Sequence, residues 1–199
     1  MKRLIIATKN KGKLNEIREL LCESDFEILS MLEAGIGTDV EEDGASFEEN
    51  SLKKALIIHK ITGGIVLADD SGLEIDFLNK APGIFTARFL GDNAHDNERY
   101  NGVLKLLEGI PDEYRKARFV CAASVVSDKK KITVRGTLEG KIAYHAAGIN
   151  GFGYDPIFWL PDYQKTLAEL DQETKNRISH RGKAFRAIAD QLRILSDIN

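Results

Sequence analysis

Hydrophobic positions along the chain change period in a regular order. Leu4-Ile5-Ile6-Ala7 is a continuous apolar run, as expected of a strand covered on both faces, and beyond the polar loop Thr8–Lys13 the residues Leu14, Ile17, Leu20 and Leu21 recur at helical spacing. Phe26 to Leu32 reads as a second strand. Ser46 and Glu49 have the spacing of a capping box, so a helix is expected there, running through Phe47, Leu52, Ala55, Leu56 and Ile58 to a stop at Gly63-Gly64. Ile65-Val66-Leu67-Ala68 then predicts a strand that ends in Asp69-Asp70, followed by Ser71-Gly72 and a second alternating run through Leu73, Ile75 and Phe77.

In the second half, Ala81-Pro82-Gly83 reads as a turn, and the apolar segment Ile84–Phe89 carries Arg88, either paired at the rim of the core or aimed at a site. Asn93 to Glu108 predicts a helix through Val103, Leu104, Leu106 and Leu107, closed by Gly109 and Pro111. Residues 117–126 and 132–138 form an expected antiparallel hairpin with the charged tip Ser127–Lys131. Ala184, Phe185, Ile188, Leu192 and Leu195 mark a terminal amphipathic helix with Ser179 as its expected N-cap.

With 199 residues, 43% of them hydrophobic, the chain can bury a real core and is expected to form a single domain over residues 1–199. A net charge of −3 argues against nucleic acid or an anionic membrane as the main partner, and no apolar run has the length of a membrane span, so the cytoplasm is the expected location. Cys22 and Cys121 lack metal-ligand spacing and have apolar neighbours, which predicts reduced thiols in the core.

Local charge is where the pattern breaks its own rules. Two helix starts carry cations, Lys9, Lys11 and Lys13 in one and His180, Arg181 and Lys183 in the other, whereas a helix N-terminus favours negative charge. A bound anion would reconcile both; lysines lying along a helix surface are the plainer reading of the first. Thr8 and Asn10 add side-chain donors, but the spacing of a Walker loop is missing.

Asp69 and Asp70 repel each other and call for a cation or a proton, with a solvated turn as the rival reading. Glu41, Glu42 and Asp43 are helix-dipole complements unless the fold brings them to the aspartates. Asn50 and Lys54 share one helical stripe and can reach one ligand. In the segment Gly148–Trp159, three glycines allow backbone to approach a flat object and Phe152 and Tyr154 offer stacking faces, although an aromatic core strand fits that composition equally well. No Ser or Cys nucleophile stands beside a base, which favours direct attack by water. Basic loops, paired acids and a glycine-aromatic loop are together the parts of a site for a metal-bound nucleotide.

The runs T-K-N-K-G-K at 8–13, S-F-E-E-N-S-L-K-K-A at 46–55, A-D-D-S-G-L at 68–73, A-P-G-I-F-T-A-R-F at 81–89, G-F-G-Y-D-P-I-F at 151–158 and S-H-R-G-K-A at 179–184 resemble, in order, the signature set of the inosine/xanthosine triphosphate pyrophosphatases. The resemblance implies an α/β fold with a long central mixed sheet flanked by helices, two lobes around an active-site cleft, a homodimer, and Mg²⁺. It implies hydrolysis of dITP/ITP and XTP/dXTP to the monophosphate and pyrophosphate, by water attack on the α-phosphorus. By the same resemblance Thr8, Asn10, Lys13 and Lys54 hold the triphosphate, and Glu42 and Asp70 hold the metal. Asp70, supported by Asp69, is the implied general base; Ser71 contacts substrate; and Phe152, Gly153, Tyr154, Asp155, Lys175, His180 and Arg181 recognise the base.

Three other readings compete. A pyrophosphatase for modified pyrimidine or methylated nucleotides would lack G-F-G-Y-D and S-H-R-G. A nucleotide sensor would not need Glu42, Asp69 and Asp70. A phospho-acceptor protein would want a D-x-D or receiver-like arrangement that Asp69-Asp70-Ser71 does not supply.

Overall fold

The structure is a computed structural model that describes residues 2–22 and 24–197. In chain order its main elements are β1 (Lys2–Ile6), α1 (Lys11–Leu20), β2 (Phe26–Ser30), α2 (Phe47–Thr62), β3 (Ile65–Ile75), α3 (Asp96–Leu106), β4 (Lys116–Val126), β5 (Lys131–Ile142), β6 (Phe158–Leu160), β7 (Lys165–Thr166), α4 (Gln172–Ile178) and α5 (His180–Asp197). Among the described residues the strands form one mixed sheet in the order β2-β1-β3-β4-β5-β6-β7. The chain divides into two compact units, Met1–Asp70 with Cys121–Gly136 and Arg181–Asn199, and Ser71–Val120 with Thr137–His180.

In the first unit β1 pairs parallel with β2 on one side and with β3 on the other. The crossovers β1-α1-β2 and β2-α2-β3 run across the sheet in opposite directions, and right-handed connections then require their helices on opposite faces. The packing agrees. Leu4, Ile6, Leu67, Cys121, Ala123 and Val125 bury against Ile17 and Leu21 of the α1 segment and Phe185, Ile188 and Leu192 of α5. The alternate residues Ala7, Val66, Ala68 and Val126 bury against Ala55 and Ile58 of α2. Beneath α2 a row of hydroxyls joins the buried Ser51 to the buried Ser124 (2.7 Å) and Ser124 to Thr133 (2.8 Å).

Helix α2 begins as the sequence predicts, with the Ser46 side chain accepting from the Glu49 N–H; the reciprocal bond differs, because the Glu49 carboxylate accepts from Ala45 rather than Ser46. Strand β3 corrects a larger expectation. It does not end at the aspartates: Asp69, Asp70, Ser71 and Gly72 lie within an eleven-residue strand, so the solvated-turn reading fails. Cys121 is buried as expected, but Cys22 is exposed, since it lies past the end of α1.

The second unit has its own core, in which Leu73, Ile75, Val103, Leu107, Phe119, Tyr154, Ile157 and Phe158 meet. Strands β5, β6 and β7 pair antiparallel. The expected tip between β4 and β5 is a tight turn in which the Ser127 N–H donates to the Lys130 carbonyl. The apolar segment after Pro82 forms a 3-10 helix over Gly83–Arg88, with Phe85 exposed and the Arg88 guanidinium 5.2 Å above its ring. Arg115, 2% exposed, donates to the carbonyls of Leu107 (2.7 Å), Ile142 (2.8 Å) and Ala143 (2.7 Å), tying the end of α3 to the end of β5.

Candidate active site

In a sheet ordered 2-1-3, ligands bind beyond the carboxyl ends of the strands where the crossovers change direction. Here that point lies past Ile6 of β1 and Leu67 of β3, which are register partners. The loop leaving β1 is shaped by its own polar side chains. Thr8 Oγ1 accepts from the Asn10 N–H (3.2 Å), and Asn10 Oδ1 accepts from the Lys13 N–H (3.1 Å) as the N-cap of α1. Capping turns the carboxamide so that its oxygen faces the helix, and the first turn of α1 contains no acidic residue. Lys9 is turned aside, bonded to Asp39 and to the Gly37 carbonyl.

The aspartates that follow Ala68 alternate across the sheet, as a strand's period of two demands. Asp69 takes the face of Leu67, toward α1 and α5. There its Oδ2 is 3.0 Å from Lys13 Nζ and 3.7 Å from Arg181 Nε, and Arg181 also pairs with the buried Glu16. Burial by itself would raise the Asp69 pKa, but Lys13, Arg181 and Lys54 outweigh it and hold the carboxyl well below the usual range. The same neighbourhood raises Lys13 and Arg181, despite the opposing effect of burial on each.

Asp70 takes the α2 face, where Asn50 Nδ2 donates to its Oδ2 at 3.0 Å. Burial is the largest influence on it and, with the nearby Glu42, outweighs Lys13, Lys54 and the Asn50 bond, leaving its pKa raised from the ordinary 3.8 to about 6. Glu42 is ion-paired with Lys54, and Asp43 with Lys53. Glu41 is exposed.

A hard divalent cation fits Asp70 and Glu42. Both offer oxygen donors, and Glu42 is close enough to disfavour ionisation of Asp70, a conflict a cation removes. Among the described residues no group of three or more His, Cys, Asp or Glu side chains is arranged for a metal. Two carboxylates suit an ion that keeps waters and takes phosphate oxygens, the habit of Mg²⁺.

The base-loop residues of the second unit form a separate cluster. Asp155 Oδ2 accepts from Lys175 Nζ (2.7 Å) and from the Phe152 N–H (2.9 Å), while Lys175 Nζ lies 4.8 Å from the centroid of the Phe152 ring. Gly151 has φ +77°, and a Cβ there would fall 2.1 Å from Asp155 Oδ2, so only glycine fits. Gly153 donates its N–H to Asp96 Oδ2 at 2.8 Å. His180 is buried and stacks on Phe119, with ring centroids 4.8 Å apart.

A family model described as Ham1 family matches residues 4–191. The chain belongs to the Ham1 family. It is 47% identical over 200 residues to the dITP/XTP pyrophosphatase of Clostridium perfringens, covering 97% of this chain and 98% of that protein. It is 48% identical over 186 residues to that of Caldanaerobacter subterraneus, with 93% of each covered. Among solved structures, a HAM1 protein from Coxiella burnetii matches with a TM-score of 0.89 at 43% identity, covering 97% of this chain and 99% of that one. The Ham1 protein of Staphylococcus aureus matches with a TM-score of 0.87 at 38% identity, covering 96% and 98%.

Within this Ham1 chain the residues singled out from the sequence fall into two groups. Lys13, Glu42, Lys54, Asp69 and Asp70 meet in the first unit, beside the Thr8–Asn10 loop. Phe152, Asp155 and Lys175 meet in the second. Arg181 lies against Asp69 and Glu16. One placement corrects expectation. Tyr154 offers no open stacking face: it is 3% exposed in the core, and its hydroxyl donates to the Thr86 carbonyl at 3.0 Å. Ser71 is half-buried on β3. Glu16 and Asp96 were not anticipated; the only sign of Glu16 in the sequence is an acid beside the buried stripe of α1.

Proposed function

We propose that the chain hydrolyses non-canonical purine nucleoside triphosphates, dITP and XTP among them, to the monophosphate and pyrophosphate. The observation that carries this reading is the split between its paired aspartates. Asp69 is neutralised by Lys13 and Arg181, while Asp70 keeps a pKa near 6 beside Glu42.

A base serves best when its pKa lies near the working pH, so Asp70 is the group that accepts the proton of the attacking water. Asp69, held far from protonation, anchors Lys13 and Arg181. Water oxygen bonds to the α-phosphorus, the bond from that phosphorus to the bridging oxygen breaks, and pyrophosphate leaves with the electron pair. Lys13 and Lys54, with the hydroxyl of Thr8 and the carboxamide of Asn10, stabilise the charge that develops on it. Glu42 and Asp70 would hold Mg²⁺, which when bound neutralises phosphate charge and lowers the pKa of bound water.

The base is assigned to the Phe152–Asp155 loop and Lys175. The C6 oxygen of hypoxanthine or xanthine is an acceptor where adenine has an amino donor, and a site built to donate rejects the analogue that cannot accept. Lys175 is such a donor. His180 and Ser71 complete the substrate contacts in this reading. We place the enzyme in the cytoplasm as a homodimer, the pairing supported by the exposed apolar side chains Phe77, Phe85 and Leu90; among the described residues no helix is long and apolar enough to cross a membrane.

The test is incubation with dITP, XTP, dATP and dGTP plus Mg²⁺, resolving the products. Pyrophosphate from dITP and XTP, with little turnover of dATP, is expected; orthophosphate as the first product overturns the reading.

A further inference from the structure

Asn50 stands between the two carboxylates assigned to the metal, and both ends of its side chain are engaged. It is 1% exposed on the inner face of α2. The Gly44 N–H, two residues after Glu42, donates to Asn50 Oδ1 at 2.7 Å, and Asn50 Nδ2 donates to Asp70 Oδ2 at 3.0 Å. A backbone N–H can only donate, so the carboxamide has one permitted orientation and its NH₂ group must face Asp70.

The surroundings hold this bridge in place. A Cβ on Gly44 would fall 2.7 Å from Asn50 Oδ1 and 2.9 Å from Glu49 Cβ, so residue 44 approaches the helix as closely as it does because it has no side chain. One residue along α2, Ser51 is joined to Ser124 and through it to Thr133, which fixes the helix against the sheet.

We infer that Asn50 is a positioning residue that sets the separation of Glu42 and Asp70: its oxygen anchors the Glu42 loop and its NH₂ group occupies one oxygen of Asp70, presenting the other to the cation and the attacking water. This rests on the assignment of Asp70 and Glu42 in the proposed reaction. A residue that orients metal ligands without touching the ion commonly contributes ~10–100-fold to metal affinity or activity. Asn50→Ala removes both bonds. Asn50→Asp, nearly the same in shape, keeps the Gly44 bond but meets Asp70 with an acceptor in place of a donor.

The experiment measures Mn²⁺ binding to each purified protein by the paramagnetic signal of free Mn²⁺, together with kcat and KM for dITP and a thermal melt to confirm folding. Both variants are expected to bind Mn²⁺ ~10–100-fold more weakly and to lose kcat to a similar extent, with KM changed by less than about threefold. On an Asp70→Asn background, Asn50→Ala is expected to cost less than about twofold more, because residues acting as one unit are not additive. Wild-type Mn²⁺ affinity and kcat in a folded variant overturn the inference, as do losses that multiply in the double variant. If Asn50→Ala does not fold, Asn50→Asp decides the question alone. If the wild-type protein releases no pyrophosphate from dITP, the proposed reaction fails, while Mn²⁺ affinity still judges the role of Asn50.

Discussion

Asp69 and Asp70 are consecutive in one strand, yet one carboxylate lies against Lys13 and Arg181 on the α1 and α5 face and the other accepts from Asn50 on the α2 face. Alternation along the strand gives two chemically identical neighbours different electrostatic surroundings.

Removing the two charges should therefore change stability in opposite directions. Asp69 is stabilised as an anion, so its contribution is complete at neutral pH and is lost as pH falls below the ordinary carboxylate range; Asp69→Asn removes the buried carboxylate that Lys13 and Arg181 share and should cost about 3 kcal/mol. The Asp70 pKa is raised, so the folded state holds a proton that the unfolded chain releases, and its contribution declines as pH rises from 3.8 toward about 6. Asp70→Asn should then stabilise the metal-free protein by about 1–3 kcal/mol above that window while reducing kcat by at least ~100-fold. Denaturant melts near neutral pH check the pair, and equal signs would contradict the split.

Protons and metal compete for Asp70, because a carboxylate must lose its proton to ligate. With its pKa near 6, the half-saturating Mg²⁺ concentration for dITP hydrolysis should climb as pH drops below 6, by up to ~10-fold per pH unit. Excess Mg²⁺ should restore activity on the acid side. A half-saturation point that stays constant from about pH 5 to about pH 8 would show that Asp70 is not the ligand.

Gly151→Ala should disturb base recognition and leave phosphate handling intact. The added methyl meets Asp155 Oδ2 at a position 3.1 Å from Lys175 Nζ, and the residue must also keep a left-handed φ. KM for dITP is expected to rise about tenfold or more and discrimination against dATP to narrow, with inorganic pyrophosphate inhibiting as in the parent enzyme. Steady-state kinetics on both substrates would show it.

Arg115 predicts a purely structural effect. Its guanidinium donates to the carbonyls of Leu107, Ile142 and Ala143, and Arg115→Met removes those donors, so unfolding should become easier by about 3 kcal/mol while kcat/KM for dITP at 25 °C stays within about twofold. A chemical melt and one kinetic assay suffice.

The local pattern of the sequence determined much of this protein. Period and capping placed β1, α1, α2, α3 and α5, because an apolar stripe and a capping side chain are properties of adjacent residues. Misplaced cations at Lys13 and Arg181 and paired acids at Asp69-Asp70 marked the charged cluster, since each violates a rule visible within a few residues. Tertiary structure alone decided the rest. That β3 continues through Ser71 depends on partner strands, and that Glu16 joins Arg181, 165 positions away, depends on α1 and α5 packing on one face. Which aspartate is neutralised and which is left near pH 6 is a matter of what each face of the sheet receives from distant helices, and burial and charge at that range cannot be read from a string of neighbours.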